Sequence, residues 1–191
     1  YRPRTAILTS IEFDHADIYR DLAHYRSAFE AFARILPPDG FLAVSAAYPD
    51  AIAIARSSTT RVVTYAATPD SGADYTAARL TSGPDGVRFD VLACGQHLGT
   101  VAMPLGGAHN VENALGVLAV ARHLGLSFDE IRAGLATFAG VTRRQEVRGE
   151  IGGVMVIDDF AHHPTAVRET VAAIRARYPE RPLWAVFEPR S

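Results

Sequence analysis

Between residues 5 and 66, apolar runs of strand length alternate with helix-spaced stretches, and this alternation restricts the fold more than any other feature of the chain. Residues 5–11 (Thr-Ala-Ile-Leu-Thr-Ser-Ile) read as a buried strand. Leu22, Tyr25, Phe29, Phe32 and Leu36 recur at helical spacing, Asp17 is a candidate cap, and Pro37-Pro38 stops the helix. Residues 41–46 predict the next strand, 50–56 a short helix and 61–66 another strand. Strand–helix–strand repetition implies a parallel sheet, with ligands expected at the carboxyl ends of its strands.

The pattern then changes. Residues 75–80, 86–94 and 97–103 read as short antiparallel strands, with Val87, Phe89, Val91 and Ala93 alternating and Gly95-Gln96 as a turn. Pro104 to Asn110 form a glycine-containing loop ahead of a helix marked by Val111, Leu115, Leu118 and Arg122 and stopped by Gly125. Ser127-Phe128-Asp129-Glu130 is a capping box for a further helix to about residue 138, with Leu126 and Ile131 as its hydrophobic staple. Gly140-Val141-Thr142 reads as a hinge. Beyond it come strands near 147–151 and 154–157, a helix over 164–178 and a strand over 183–187. The expected division is 1–142 and 143–191.

Composition removes several function classes. The chain contains no lysine, so all 19 basic residues are arginine. A Gly-x-x-x-x-Gly-Lys-Ser/Thr phosphate loop and lysine Schiff-base chemistry are therefore absent from it. A genome that favours arginine codons gives the same composition. A net charge of −2 argues against general nucleic-acid binding. No apolar run approaches the roughly 20 residues of a membrane helix. One cysteine, Cys94, excludes an internal disulfide framework and fits a reducing, cytoplasmic setting; mid-strand, it reads as a packing residue.

Four constellations carry chemistry. Asp14-His15-x-Asp17 at a strand end suits a divalent cation, or simply caps a helix. Asn110 and Asn113 share a face of a first helical turn, and their amides offer a donor and an acceptor to a purine edge; Asn110 also reads as a plain helix cap. Arg143-Arg144 suits phosphate, or is a solvated linker pair. Asp158-Asp159 with His162-His163 stands between a strand end and a proline-opened helix. A carboxylate there commonly accepts from ribose hydroxyls, and the helix N-terminus favours anions. A zinc-hydrolase reading of the histidines lacks further ligands at zinc spacing.

In this order the motifs resemble the Mur ligases, ATP-dependent amide ligases of bacterial cell-wall precursor assembly. The resemblance rests on Glu12-Phe13-Asp14-His15-Ala16-Asp17, Gly107-Ala108-His109-Asn110-Val111-Glu112-Asn113-Ala114, Asp158-Asp159-Phe160-Ala161-His162-His163-Pro164-Thr165 and Phe187-Glu188-Pro189-Arg190-Ser191, and spans the chain. It implies an α/β fold: the later part of a central ATPase domain, a parallel sheet with an antiparallel hairpin excursion, followed by the start of a Rossmann-like C-terminal domain. It implies that His15 helps hold Mg²⁺, that Asn110 and Asn113 lie at the adenine of ATP, that Arg144 reaches the nucleotide from the domain junction, that Asp159 bonds the ribose and that His162 lies nearby, with Arg144 and His162 serving catalysis. The branch it is most similar to joins UDP-N-acetylmuramate to the murein tripeptide, L-alanyl-γ-D-glutamyl-meso-diaminopimelate, through an acyl phosphate, in peptidoglycan recycling. The branch that adds L-alanine shares the Asp-Asp and His-His pattern. The family's phosphate-loop lysine and a metal-binding glutamate would lie ahead of Tyr1. The chain is thus expected to be a partial one that turns over no ATP alone; an isolated non-catalytic nucleotide-binding module is the reading from another class.

Overall fold

The structure is a computed structural model describing residues 2–188. Its centre is β2 (Phe41–Ser45), in which all five residues are buried. Strand geometry sends alternate side chains to opposite faces. Phe41 and Ala43 enter one apolar cluster and Leu42 and Val44 the other. On the Leu42 face lie α1 (Leu22–Arg34) and α2 (Pro49–Arg56), contributing Ala33, Ala51, Ile54 and Ala55. On the Phe41 face lies α3 (Ala108–His123), contributing Val111, Leu115 and Leu118. The result is a helix–sheet–helix sandwich.

The sheet order is β1-β2-β3-β4-β5-β6, from β1 (Thr5–Leu8) through β3 (Arg61–Ala66), β4 (Tyr75–Gly83) and β5 (Gly86–Ala93) to β6 (Gln96–Met103). The first four strands pair in parallel and the last three antiparallel, so the hairpin excursion extends the parallel sheet directly. α4 (Phe128–Thr137) covers the extension by packing on β6. Its predicted capping box is present, with Ser127 and Glu130 satisfying each other's backbone N–H groups. α3 approaches the sheet closely because Gly116 faces the Tyr65 ring; a Cβ there would come within 2.9 Å of Tyr65 Cζ.

A second sheet, β7 (Glu146–Ile151) with β8 (Val154–Asp158), is a two-stranded antiparallel hairpin followed by α5 (Pro164–Arg177). Arg177 Nε reaches back to the Pro84 carbonyl at 2.9 Å, tying the end of α5 to the β4–β5 turn.

Three expectations are corrected. α1 is capped by Asp21, whose carboxylate accepts from the His24 N–H at 2.7 Å, and not by Asp17, which lies four residues too early. The β5–β6 turn is Cys94-Gly95, both at positive φ, because Ala93 pairs with Gln96; Cys94 is therefore an exposed turn residue and not a packed strand residue. Residues 183–187 form no strand, and Trp184 and Val186 are 89% and 103% exposed. An apolar run becomes a strand only with a ladder partner, and this one has none among the described residues. Residues 189–191 of the terminal motif lie outside those residues.

Leu115 is fully buried on α3 between the helix and the sheet. We expect Leu115→Ala to cost about 2–5 kcal/mol, read as a lowered urea midpoint at unchanged slope.

Candidate functional site

Three kinds of structure meet at one cavity of about 920 Å³. The first is the carboxyl edge of the parallel sheet, which supplies Glu12 and Asp14 after β1 and Tyr48 after β2. The second is the N-terminal turn of α3, with His109, Asn110, Glu112 and Asn113. The third is the segment from residue 143 onward, with Arg144, Gln145, Asp159, His163 and Glu169. Two helix N-termini, those of α3 and α5, border the cavity, and both favour anions there. Phe138, Leu126 and Val141 form an apolar stretch of the wall, each at least 44% exposed.

The segment from residue 143 onward is gathered around Asp159. Its Oδ2 accepts from the Gln145 N–H at 2.9 Å and its Oδ1 from the Ala161 N–H at 2.7 Å. Arg143 and Gln145 both hold left-handed backbone conformations (φ 59° and 49°), which those bonds and the Phe160 N–H to Arg143 carbonyl bond of 2.8 Å keep in place. Arg143 sits 4.9 Å over the Phe160 ring and 3.6 Å from Asp158. Arg144 stands 5.8 Å from the same ring, on the cavity wall. A carboxylate has about four acceptor positions, so Asp159 keeps capacity for a ligand hydroxyl.

Carboxylates of the first unit meet the start of α5. Glu12 lies 3.3 Å from His163 Nδ1 and accepts from the Thr165 hydroxyl at 3.2 Å. Asp14 lies 3.6 Å from His162 Nε2, too long for a hydrogen bond. The His15 N–H donates to Asp14 at 2.7 Å and holds its carboxyl below the usual carboxylate range. Glu112 is the opposite case. Burial pushes its carboxyl up, partly offset by a hydrogen bond from the buried Ser45 hydroxyl. Burial also pushes the His109 imidazole down, so its neutral form is favoured. His109 Nδ1 and Gln145 Oε1 are buried without a partner, an arrangement that costs about 1–3 kcal/mol for each such atom.

The residues singled out from the sequence are brought together unevenly. Asn110, Asn113, Arg144 and Asp159 all line the cavity. His15 does not; it sits nearly half exposed at the rim, 3.9 Å from both Asp14 and Asp17. Of the paired histidines the cavity wall takes His163, while His162 lies 3.6 Å from Asp14. The reason is local: both precede the first residue of α5, with His163 as its N-cap in extended backbone, and consecutive side chains there diverge. Glu112, Gln145 and Glu169 went unassigned in the sequence. A glutamate between the two asparagines at helical spacing was the available signal for Glu112; Gln145 and Glu169 are marked only by tertiary contact.

The fold and site define a two-unit α/β protein whose ligand cavity lies at the carboxyl edge of a parallel sheet and is faced by the second unit. Comparison with known proteins then places it. Residues 1–121 match the Mur ligase middle domain and residues 143–191 the Mur ligase, glutamate ligase domain, so the chain belongs to the Mur ligase family. It is 41% identical over 190 residues to a UDP-N-acetylmuramate–L-alanine ligase of Salinibacter ruber, covering 98% of this chain and 39% of that protein. Among solved structures it is similar to a murein peptide ligase from Psychrobacter arcticus (34% identity, TM-score 0.68, 100% of this chain and 38% of that one). It is also similar to the UDP-N-acetylmuramate–alanine ligase of Thermotoga maritima (25% identity, TM-score 0.79, 94% and 40%). The chain thus spans about two fifths of the length of these relatives. No helix among the described residues is long and apolar enough to cross a membrane.

Glu112 titrates unfavourably for the fold. Its folded pKa lies above the unfolded value, so its stabilising protonated form is complete below about pH 4.3 and is lost as pH rises through the raised folded value. We expect Glu112→Gln to gain stability relative to the parent chain between pH 5 and pH 8, read from urea midpoints at both; a constant difference would contradict the buried ionisation.

Proposed function

We propose that this chain carries part of the nucleotide site of an ATP-dependent ligase that extends UDP-N-acetylmuramate. The single observation behind this reading is the cavity in which Asn110 and Asn113 on α3 face Arg144 and Asp159 from beyond the hinge. In this reading the asparagines take the adenine, Asp159 the ribose hydroxyls, and Arg144 the phosphates. His162 serves near the reacting phosphate, on the Asp14 side of the site. ATP would supply the phosphoryl group that makes a carboxylate susceptible to attack by an amine, and Mg²⁺ would neutralise phosphate charge.

The donor set fits a hard cation of modest protein ligation. Asp14 stays anionic because the His15 N–H stabilises its charge. Among the described residues no three or more His, Cys, Asp or Glu side chains converge as a metal cluster. Mg²⁺ ordinarily keeps waters and substrate phosphates as most of its ligands, so Asp14 with His15 at the rim suffices for the proposed role. The residues beyond the hinge would also keep water from an activated carboxylate by closing the cavity.

For the incoming amine we propose the murein tripeptide, which would put the parent protein in the recycling of cell-wall peptide. This is supported by the 34% identity to the Psychrobacter murein peptide ligase across the whole of this chain. L-Alanine is the second reading, favoured by the 41% identity to the Salinibacter protein.

The test uses the intact parent protein with ATP, Mg²⁺ and UDP-N-acetylmuramate, following phosphate release with each amine. Turnover with the tripeptide is expected; turnover with L-alanine alone would exchange the acceptor, and none with either would overturn the ligase reading. In the same protein Asp159→Ala should weaken ATP binding about tenfold by calorimetry. Arg144→Ala should lower kcat about a hundredfold or more. Unchanged values in both would remove these residues from the nucleotide.

A further inference from the structure

The loop entering α3 contains an arrangement that decides which face of an amide the ligand meets. The Gly106 carbonyl accepts from Asn110 Nδ2 at 2.7 Å and from Gln145 Nε2 at 3.4 Å. A carbonyl oxygen only accepts, so it admits only the nitrogen end of each amide. Asn110 Oδ1 is then the end left over; it accepts no hydrogen bond among the described residues, and Asn110 lines the cavity. We propose that Gln145 is a positioning residue that pins the Gly106 carbonyl and thereby makes Asn110 present an acceptor, selecting nucleotides whose base carries an exocyclic amine, adenine over guanine. The inference rests on the nucleotide reading above and adds to it the residue that sets base choice.

The need for a brace lies in the backbone. The peptide linking Gly106 and Gly107 has glycine on both sides, and Gly107 is at φ 97°. Glycine on both sides removes the torsional barrier to turning such a peptide over, so its direction is set by what packs around it: Ala173 and His109 beside Gly107, and the two amides on the carbonyl. Turned over, it would offer Asn110 an N–H in place of a carbonyl, and the asparagine would then present its NH₂ to the cavity. That edge matches the 6-oxo group of guanine. With the carbonyl held, Oδ1 accepts from a 6-amino group, and a 6-oxo group would set two acceptors against each other.

Gln145 is built for this task. Its Nε2 also lies 3.4 Å from His109 Nε2, on the residue preceding Asn110. Burial keeps that imidazole in the neutral form, which has a ring nitrogen able to accept. Its own backbone N–H is held by Asp159 at 2.9 Å. A residue from beyond the hinge thus joins the proposed base and ribose ends of the site, so that approach of the second unit sets base recognition in the first.

The experiment measures ATP and GTP affinity by calorimetry for the intact parent protein and for Gln145→Leu and Gln145→Glu, neither of which can donate to Gly106. Each variant's fold is checked by thermal melting, and the isosteric Gln145→Glu carries the test if Gln145→Leu does not fold. We expect the parent protein to prefer ATP, and both variants to bind ATP about tenfold more weakly with GTP affinity held or raised, so that the preference shrinks about tenfold or more. Equal weakening of both nucleotides, the signature of a merely structural residue, would overturn the proposal, as would an unchanged ratio. A parent protein that binds neither nucleotide would instead overturn the ligase reading itself.

Discussion

Complete burial of β2 is the constraint from which the rest follows. A strand whose five residues are all buried needs apolar cover on both faces, because its alternate side chains point both ways. Helices α1 and α2 supply one cover and α3 the other, and parallel connections between β1, β2 and β3 then bring the strand ends to one edge. Ser45, the last residue of β2, is also buried, and its hydroxyl meets Glu112 on α3. The apolar core thus registers α3 against the sheet edge, and that registration puts the asparagine face at the cavity.

The second unit depends far less on apolar packing. β7 and β8 form a two-stranded hairpin with Ile151, Val154 and Val156 exposed, and such a hairpin gains little stability alone. Its position relative to the first unit comes from the buried Ala173 of α5 against Gly106 and Gly107 and from polar contacts: Glu12 with His163 and Thr165, Gln145 with Gly106, and Arg177 with Pro84. Polar contacts of this kind form and break at modest cost in water, which would suit the closing junction proposed for the nucleotide. The orphaned atoms at His109 and Gln145 belong to the same junction. Polar groups without partners are concentrated where a ligand or a movement would satisfy them.

Much of the architecture was legible because it depends on near-neighbour chemistry. The order of strands and helices follows from apolar spacing, and the Ser127–Glu130 capping box formed as its spacing demands. Legibility failed where a longer-range partner decided the outcome. Asp17 and Asp21 are equally good caps by composition, and the folded backbone distinguishes them, with the Asp21 carboxylate accepting from the His24 N–H at the start of α1. Cys94 looked like a strand residue until the pairing of Ala93 with Gln96 made it part of a two-residue turn. Leu-Trp-Ala-Val-Phe over 183–187 has the composition of a strand but no neighbouring edge among the described residues. At the site, Asn110, Asn113, Arg144 and Asp159 were readable as chemistry-bearing motifs, whereas Gln145 became visible only through the carbonyl it touches 39 residues away in sequence.

By itself, the amino-acid sequence determined the βαβ frame and the groups of polar side chains clustered at strand and helix ends, because periodicity and motif spacing are local properties that survive without a folded context. Tertiary structure decided which members of those groups share a cavity. It put His163 and not His162 on the wall, left His15 at the rim, raised the Glu112 carboxyl by burial and turned two amides with one backbone carbonyl. Direction, desolvation and hydrogen-bond sense depend on which distant atoms arrive nearby, and no spacing within a chain encodes that arrival.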